Sequence, residues 1–308
     1  MRFDKLAVGV TSLVGVYLYR NNNIYCEKPV LGPNSGELGL VSELRRETVP
    51  VSRKEAPTLF RKLASEALGT GLIVLLGCGS VASVKYLGSG MTLGGASIIW
   101  GTAVALSVYA TRDVSGAHLN PAVTMALAFH RPESCPPYIA LSYIGAQVFG
   151  AASAAFVNYA VFSKAIAAFE VREGITRGFP GSASSYSGAF GMMPNPSALR
   201  APGALGAEIL ATSVLSYLIF ALTDADSTVP SSAAPALIGA AVTTLVSVFG
   251  PVTGAGMNPA RDLGPRLITL AMGWKGQAFP PVASIYTLGP VAGAILGAGL
   301  FDLLKAQQ

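Results

Sequence analysis

Six long apolar stretches constrain what this chain can fold into more than any other feature. They cover residues 59–84, 93–110, 137–162, 204–222, 235–249 and 282–304. A helix of roughly 20 apolar residues crosses the hydrocarbon core of a bilayer. In lipid, the backbone polar groups must be satisfied within the segment, which a helix achieves. The stretches therefore predict an all-α membrane protein with six transmembrane helices.

Composition supports a membrane protein over a soluble one. Only 12% of the 308 residues are charged, whereas soluble domains carry about 25%. The 35 glycines fit helices that approach one another closely in a bilayer. Cys26, Cys78 and Cys135 are scattered without the spacing of a disulfide framework or a metal site. No metal and no other cofactor is predicted.

Residues 1–57 stand apart as an N-terminal tail. Residues 6–18 are apolar and follow Arg2 and Lys5, but they are too few to span a bilayer comfortably, so they could be a targeting segment. The rest is polar and interrupted by prolines, which predicts a largely disordered tail. Its many basic residues place it on the cytoplasmic side by the positive-inside rule. Acidic residues are interleaved with them, so the tail does not indicate nucleic-acid binding.

Two further apolar segments, 121–129 and 259–271, are too short to cross a bilayer. Each begins directly after an asparagine and with a proline, which favours the start of a helix because asparagine caps the first turn and proline suits it. The two segments therefore predict helices that enter the membrane without crossing it.

An internal repeat relates the two halves of the chain. Residues 115–122 and 253–260 share five identities in eight positions, and residues 63–70 resemble 205–212. Each half, about 58–163 and 204–305, contains three spans and one short helix. Because an odd number of spans reverses the entry side of the second copy, the pattern predicts an inverted 3+3 repeat within a channel domain at 58–305.

Two copies of Asn-Pro-Ala in such a repeat resemble the aquaporin, or major intrinsic protein, family. The motif residues are Asn120, Pro121 and Ala122 in the first half and Asn258, Pro259 and Ala260 in the second. Ser-Gly-Ala-His precedes the first copy and Arg-Asp follows the second. The resemblance covers about residues 59–304, and it implies the aquaporin fold with two re-entrant half-helices, a homotetramer and both termini in the cytoplasm.

Elementary electrostatics is consistent with a pore at the two motifs. Half-helices that start at Asn120 and Asn258 and enter from opposite faces would meet N-terminus to N-terminus. Each N-terminus carries roughly half a positive charge from the helix dipole, which repels cations. The two asparagine amides could donate hydrogen bonds to a passing water, turn its hydrogens away and so interrupt a proton wire.

Glu66 and Glu208 are carboxylates within apolar spans, where charged groups are costly and face a protein interior or a cavity. They could carry protons in a pump. The family resemblance implies instead that they brace the re-entrant loops by accepting backbone hydrogen bonds. His118, in the first of these loops, has the same implied role beside carbonyls that line the pore.

The resemblance also implies a selectivity filter at Trp100, Val246, Ala255 and Arg261. Water-selective members carry phenylalanine and histidine where this chain has Trp100 and Val246, so a wider and more apolar filter is expected. A flat indole beside the donor-only guanidinium of Arg261 suits glycerol, and Asp262 resembles the glycerol-facilitator branch. The absence of a second aromatic at Ala255 departs from that branch and resembles the nodulin-like one. Water, urea, ammonia, hydrogen peroxide and neutral metalloid acids therefore stay open as solutes.

The predicted function is a passive channel for water and small uncharged solutes, glycerol foremost, in the plasma membrane or an organelle membrane. The main alternative is an ion- or proton-coupled secondary transporter, which also uses inverted repeats. It would need a titratable relay, for which only Glu66, Glu208 and His118 qualify. No nucleophile–base pair or phosphate-binding loop lies among the spans, so an enzyme is not expected.

Overall fold

The structure, a computed structural model, describes residues 56–307 together with segments 9–10, 16–20, 23–30 and 45–50 nearer the N-terminus. The chain divides into two units, Met1–Ala56 and Pro57–Gln308. Most of the apolar 6–18 segment, the candidate targeting signal, lies outside the described residues.

The described part of the first unit is a four-stranded antiparallel sheet. Its strands are Gly9–Val10, Val16–Arg20, Asn23–Val30 and Arg45–Pro50, paired in sequence order. The physical reason lies in local composition. The second strand reads Val-Tyr-Leu-Tyr-Arg, and aromatic and β-branched residues of this kind favour a pleated strand.

The second unit is helical throughout its described elements, which confirms the predicted all-α membrane fold. Its α-helices are α1 Leu59–Leu87, α2 Leu93–Ser115, α3 Pro121–His130, α4 Pro137–Glu173, α5 Ala183–Tyr186, α6 Ala201–Thr223, α7 Ala234–Thr253, α8 Pro259–Thr269 and α9 Ile285–Lys305. Within the described residues, six helices are long and apolar enough to cross a membrane. They correspond to the six predicted stretches, although α4 extends 11 residues past the predicted end at residue 162.

The helices pack as two similar sets of four. Helix α1 packs against α2 and α4, and α6 packs in the same way against α7 and α9. The half-helix of each set packs mainly against the other set, α3 against α9 and α8 against α4. This exchange is what an inverted repeat requires, because each half-helix completes the opposite half of the bundle.

Both half-helices begin where the Asn-Pro signal predicts. The side chain of Asn120 accepts a hydrogen bond from Ala122 N and caps α3, and Asn258 accepts from Ala260 N and Arg261 N and caps α8. The second half-helix differs at its far end. A π-helical turn, Leu270–Trp274, follows α8 and is broken at Gly273, whose φ is 101°.

Helices α2 and α7 cross at two equivalent glycines. Gly101 lies 19 residues before Asn120, and Gly239 lies 19 before Asn258. A Cβ on Gly239 would lie 2.5 Å from the carbonyl oxygen of Gly101, and a Cβ on Gly101 would overlap the carbonyl oxygen of Gly239. Because the equivalent residues touch each other, the pseudo-twofold axis that relates the halves passes through this contact.

Replacing Gly101 with alanine is expected to destabilise the helical unit by about 1–3 kcal/mol, the usual cost of overpacking a close contact. Thermal unfolding in detergent measures the effect. The matched control is Gly145→Ala in α4, where a Cβ meets nothing within 4 Å and alanine should be neutral or slightly stabilising. Equal melting temperatures for Gly101→Ala and the wild type would show that the helices do not cross this closely.

Candidate pore

The two Asn-Pro-Ala motifs face each other across the centre of the bundle. Asn120 Nδ2 donates to Met257 O over 2.8 Å, and Asn258 Nδ2 donates to Leu119 O over 2.8 Å. Each asparagine therefore caps its own half-helix through its oxygen and holds the other half's loop through its nitrogen. A primary amide carries a second N–H, and both asparagines line the central cavity described below.

The loops before the half-helices, residues 115–119 and 253–257, share an unusual backbone. Ala117, Leu119, Ala255 and Met257 have φ values of 53°, 51°, 51° and 49°. Non-glycine residues adopt this left-handed conformation uncommonly, and only where the surroundings hold them. The alternation keeps the backbone of both loops out of helical pairing, and the carbonyls of Ser115, Leu119, Thr253 and Met257 accept from side chains of other elements instead.

Glu66 holds the first loop. Its side chain is completely buried and accepts hydrogen bonds from Ser115 Oγ over 2.6 Å, His118 N over 3.0 Å and Leu119 N over 2.7 Å. Gln147 Nε2 donates a fourth bond over 2.8 Å. The carboxylate is thus surrounded by donors.

Glu208 holds the second loop in the same manner. It is also completely buried and accepts from Thr253 Oγ1 over 2.6 Å, Gly256 N over 2.9 Å and Met257 N over 2.8 Å. Among the described residues that line the cavity, neither glutamate appears. Each glutamate therefore holds the backbone of its loop through hydrogen bonds, and neither carboxylate lines the cavity.

His118 contributes to the first loop through its backbone and lines the cavity. Its Nδ1 lies 3.3 Å from Thr124 Oγ1, which also accepts a bond from Gln147 Nε2. The ring is therefore oriented by a chain of neutral groups that leads back to Glu66.

The four residues predicted to form the filter all line the cavity described below. Trp100 arrives from α2, Val246 from α7, Ala255 from the second loop and Arg261 from α8, and all four are buried. The guanidinium carbon of Arg261 lies 4.2 Å from the centroid of a Trp100 ring, a cation–π contact. Gly77 in α1 makes room for the indole, since a Cβ there would overlap its ring.

One guanidinium nitrogen of Arg261, Nη1, has no hydrogen-bond partner within the part of the chain that the structure describes. A buried charged donor without a partner is costly. Arg261 and Trp100 line the same cavity, so a charged and an apolar group lie next to each other on its wall.

A cavity of about 750 Å³ leads to these residues. Apolar side chains of α1, α2, α6 and α7 form one wall, and the two loops with their asparagines form the other. Its lining includes four charged residues, Arg112 and Asp113 near the end of α2, Arg131 directly after α3 and Asp224 directly after α6. Trp100, Val246, Ala255 and Arg261 all line it, whereas none of the described residues 174–200 does.

A buried ion pair lies behind Arg261 in α8. Arg266 Nε lies 2.6 Å from Asp262 Oδ2, and both side chains are almost fully buried. Arg266 also donates to Ala278 O over 2.9 Å and lies 3.3 Å from the Tyr186 hydroxyl. Burial raises the pKa of this hydroxyl, which stays protonated and donates to Gln277 O over 2.6 Å. The ion pair thus links α8 to Tyr186, which precedes it along the chain, and to Ala278, which follows it.

Two tyrosines hold the loops, a role that no pattern in the sequence indicated. Tyr143 donates to Ser115 O over 2.9 Å, and Tyr286 donates to Thr253 O over 2.7 Å. The two tyrosines occupy equivalent places in α4 and α9. Their distances from the motifs differ, 23 residues after Asn120 and 28 after Asn258, so only an alignment with a gap would have paired them.

Comparison with known proteins agrees with this arrangement. The family model described as "Major intrinsic protein" matches residues 53–301. The chain is 40% identical over 261 residues to a glycerol uptake facilitator protein of Pseudomonas aeruginosa, covering 82% of this chain and 91% of the relative. It is 38% identical over 254 residues to the glycerol uptake facilitator protein of Escherichia coli, covering 79% and 88% respectively.

A solved structure supports the fold. The X-ray structure of the aquaglyceroporin from Plasmodium falciparum superposes with a TM-score of 0.66 at 23% identity, covering 80% of this chain and 95% of that one. Because the family model spans most of the chain and the facilitators match over most of their own length, this chain belongs to the major intrinsic protein family.

Proposed function

We propose that the protein is a passive transmembrane channel for water and small uncharged solutes, with glycerol as its main solute. The observation that carries the proposal is the pairing of Arg261 with Trp100 in the lining of the cavity. Relatives named for glycerol uptake and for propanediol uptake share the chain's family, and both names refer to three-carbon alcohols.

The filter matches the chemistry of such an alcohol. Its carbon chain can lie against the indole of Trp100 and the side chain of Val246, while its hydroxyl oxygens accept from the guanidinium of Arg261, which lines the cavity. The hydroxyl hydrogens can be donated to carbonyls of the 253–257 loop. A solute with charge would lose its hydration without equal replacement, and a cation would also meet Arg261 and the two half-helix N-termini.

Proton exclusion is assigned to Asn120 and Asn258. Both amides are held by the opposite loop, so their orientation is set before a water arrives. A water that accepts from both amides cannot at the same time pass a proton along a file of waters. Glu66, Glu208 and His118 act in the proposal as braces of the loops.

Swelling of proteoliposomes measures the function directly. Vesicles with purified protein are placed in hyperosmotic sucrose, glycerol or urea, and the light-scattering trace gives the permeability to each. Glycerol uptake well above that of protein-free vesicles is expected, with no proton flux under an imposed pH difference. Water permeability alone would contradict the glycerol assignment.

A proton-coupled transporter stays the alternative that this assay also tests. Transport against a glycerol gradient, driven by a proton gradient, would establish it. The burial of Glu66 and Glu208 away from the cavity argues for the channel, because a coupling carboxylate has to exchange protons with the solute path.

The proposal includes a homotetramer with one pore per subunit, both termini in the cytoplasm, and a tail at 1–57 that is separate from a channel domain at 58–305. Urea, ammonia and hydrogen peroxide are secondary solutes, in a plasma or organelle membrane. Chemical crosslinking tests the tetramer. Protease accessibility on oriented vesicles tests the topology, and cleavage of the two termini from opposite faces would contradict it.

A further inference from the structure

The two pore loops are held alike by their own repeats but differ in what covers them. In both, a buried glutamate accepts from the loop backbone and a tyrosine donates to the loop's first carbonyl. The residues that open the bend, Gly116 and Gly254, have the same positive φ, 88° and 85°. The loops are therefore closely equivalent in backbone and in these two contacts.

The two loops differ in what lies next to this glycine, Gly116 in the first loop and Gly254 in the second. A Cβ built on Gly116 would meet only the ring of His118 in its own loop, at 3.8 Å, and Gly116 lines the wide cavity. A Cβ built on Gly254 would lie 2.8 Å from the Sδ of Met192. The second loop, which carries the filter residue Ala255, thus has a side chain packed against it that the first loop lacks.

Met192 is itself fixed in place. Its N–H donates to Asp262 Oδ1 over 2.6 Å, and its carbonyl oxygen accepts from Arg266. Since Asp262 and Arg266 are ion-paired and buried, both peptide groups of Met192 are held by one rigid pair on α8. The preceding Gly191 has no free space, because a Cβ there would lie 3.0 Å from the Tyr186 ring and 3.2 Å from Arg266.

Repeat one has no comparable ion pair at this place. The equivalent of Asp262 is Thr124, four residues after Asn120 as Asp262 is four after Asn258. Thr124 belongs to a neutral network with Gln147 and His118. The ion pair and the methionine it holds therefore occur together, and in the described structure they lie beside the second loop only.

We propose that Met192 is a positioning residue that keeps the 253–257 loop pressed inward and so sets the width of the filter. Among the described residues it lies outside the cavity lining, so it acts through Gly254 and Ala255. Ala255 and Met257 have left-handed backbone, a conformation that persists only under constraint. Without the Met192 side chain the loop can relax outward, and larger polyols should pass. The inference rests on the proposed filter.

The test is the ratio of xylitol to glycerol permeability in proteoliposomes of Met192→Ala, Met192→Leu and wild type. The ratio is independent of how many channels insert, so a purely structural loss would leave it unchanged. Met192→Ala is expected to raise it at least about threefold, a modest coupling energy. Met192→Leu, whose side chain has a similar volume, should keep the ratio at the wild-type value. If Met192→Ala does not insert, Met192→Val is measured with the same expectation.

Two further variants make the result decisive. Met193→Ala is the matched control, since the neighbouring methionine is only partly buried and should leave the ratio at the wild-type value. Val246→His tests the filter itself. If Val246→His changes the ratio but Met192→Ala does not, the inference about Met192 is overturned while the proposed function stands. If neither variant changes the ratio, the filter assignment is wrong, and the inference about Met192, which rests on it, is overturned as well.

Discussion

Replacing Glu208 with leucine is expected to abolish conduction and to reduce sharply the amount of folded protein. The change removes the acceptor for Thr253 Oγ1, Gly256 N and Met257 N at once, in a site that water does not reach. Each buried donor left unpaired costs about 1–3 kcal/mol. Three of them amount to a large share of the ~5–15 kcal/mol that keeps a typical domain folded.

Two measurements check this expectation. Size-exclusion chromatography in detergent reports folded protein, and glycerol uptake per folded channel reports the pore. The matched control is Glu133→Leu, an exposed glutamate between α3 and α4, which should behave like wild type in both. Normal conduction by Glu208→Leu would show that the loop is not braced by this carboxylate.

Glu208→Gln separates bracing from proton transfer. The amide keeps one acceptor oxygen but turns an NH₂ group towards a backbone N–H, so partial destabilisation is expected for a brace. A proton carrier would instead fold normally and lose only a proton-driven component of transport. The two roles of the residue therefore give different results in the same pair of assays.

The double change Trp100→Phe with Val246→His is expected to lower the glycerol-to-water permeability ratio at least about tenfold. Histidine at 246 puts a polar ring where the described filter has an apolar side chain beside Ala255, and it narrows the path opposite Arg261. Water can satisfy both polar groups, whereas the carbons of glycerol would leave them unpaired at about 1–3 kcal/mol each. A barrier change of about 1.4 kcal/mol is tenfold in rate.

Both permeabilities are measured on the same vesicles at matched protein density. Val229→His is the control, because it places the same ring elsewhere in the lining of the same cavity, away from Trp100 and Arg261 along the chain. Its ratio should remain that of the wild type. An unchanged ratio in the double variant would mean that the constriction lies away from Trp100 and Val246.

Much of the architecture follows from patterns that are local in the sequence. The length of an apolar stretch decides whether a helix can cross a bilayer, and the six predicted spans correspond to α1, α2, α4, α6, α7 and the segment ending in α9. Asn120 and Asn258 mark the starts of α3 and α8 because capping depends only on the first turn. The repeat of 115–122 at 253–260 was likewise sufficient to predict the inverted arrangement.

In the N-terminal unit, the described strands are Gly9–Val10, Val16–Arg20, Asn23–Val30 and Arg45–Pro50, which no pattern in the sequence had indicated. Short aromatic and β-branched runs favour strands, but strand pairing depends on partners that are separated along the chain.

The sequence by itself determined the spans, the two half-helices and their symmetry, and the family resemblance singled out Trp100, Val246, Ala255 and Arg261. Only the tertiary structure decided how those residues are held. Ala117, Leu119, Ala255 and Met257 have no intrinsic preference for left-handed backbone, which is imposed by Glu66 and Glu208 from distant helices. The stacking of Arg261 on Trp100 and the packing of Met192 on Gly254 join residues 161 and 62 positions apart. Such contacts depend on how whole helices cross, which no local pattern specifies.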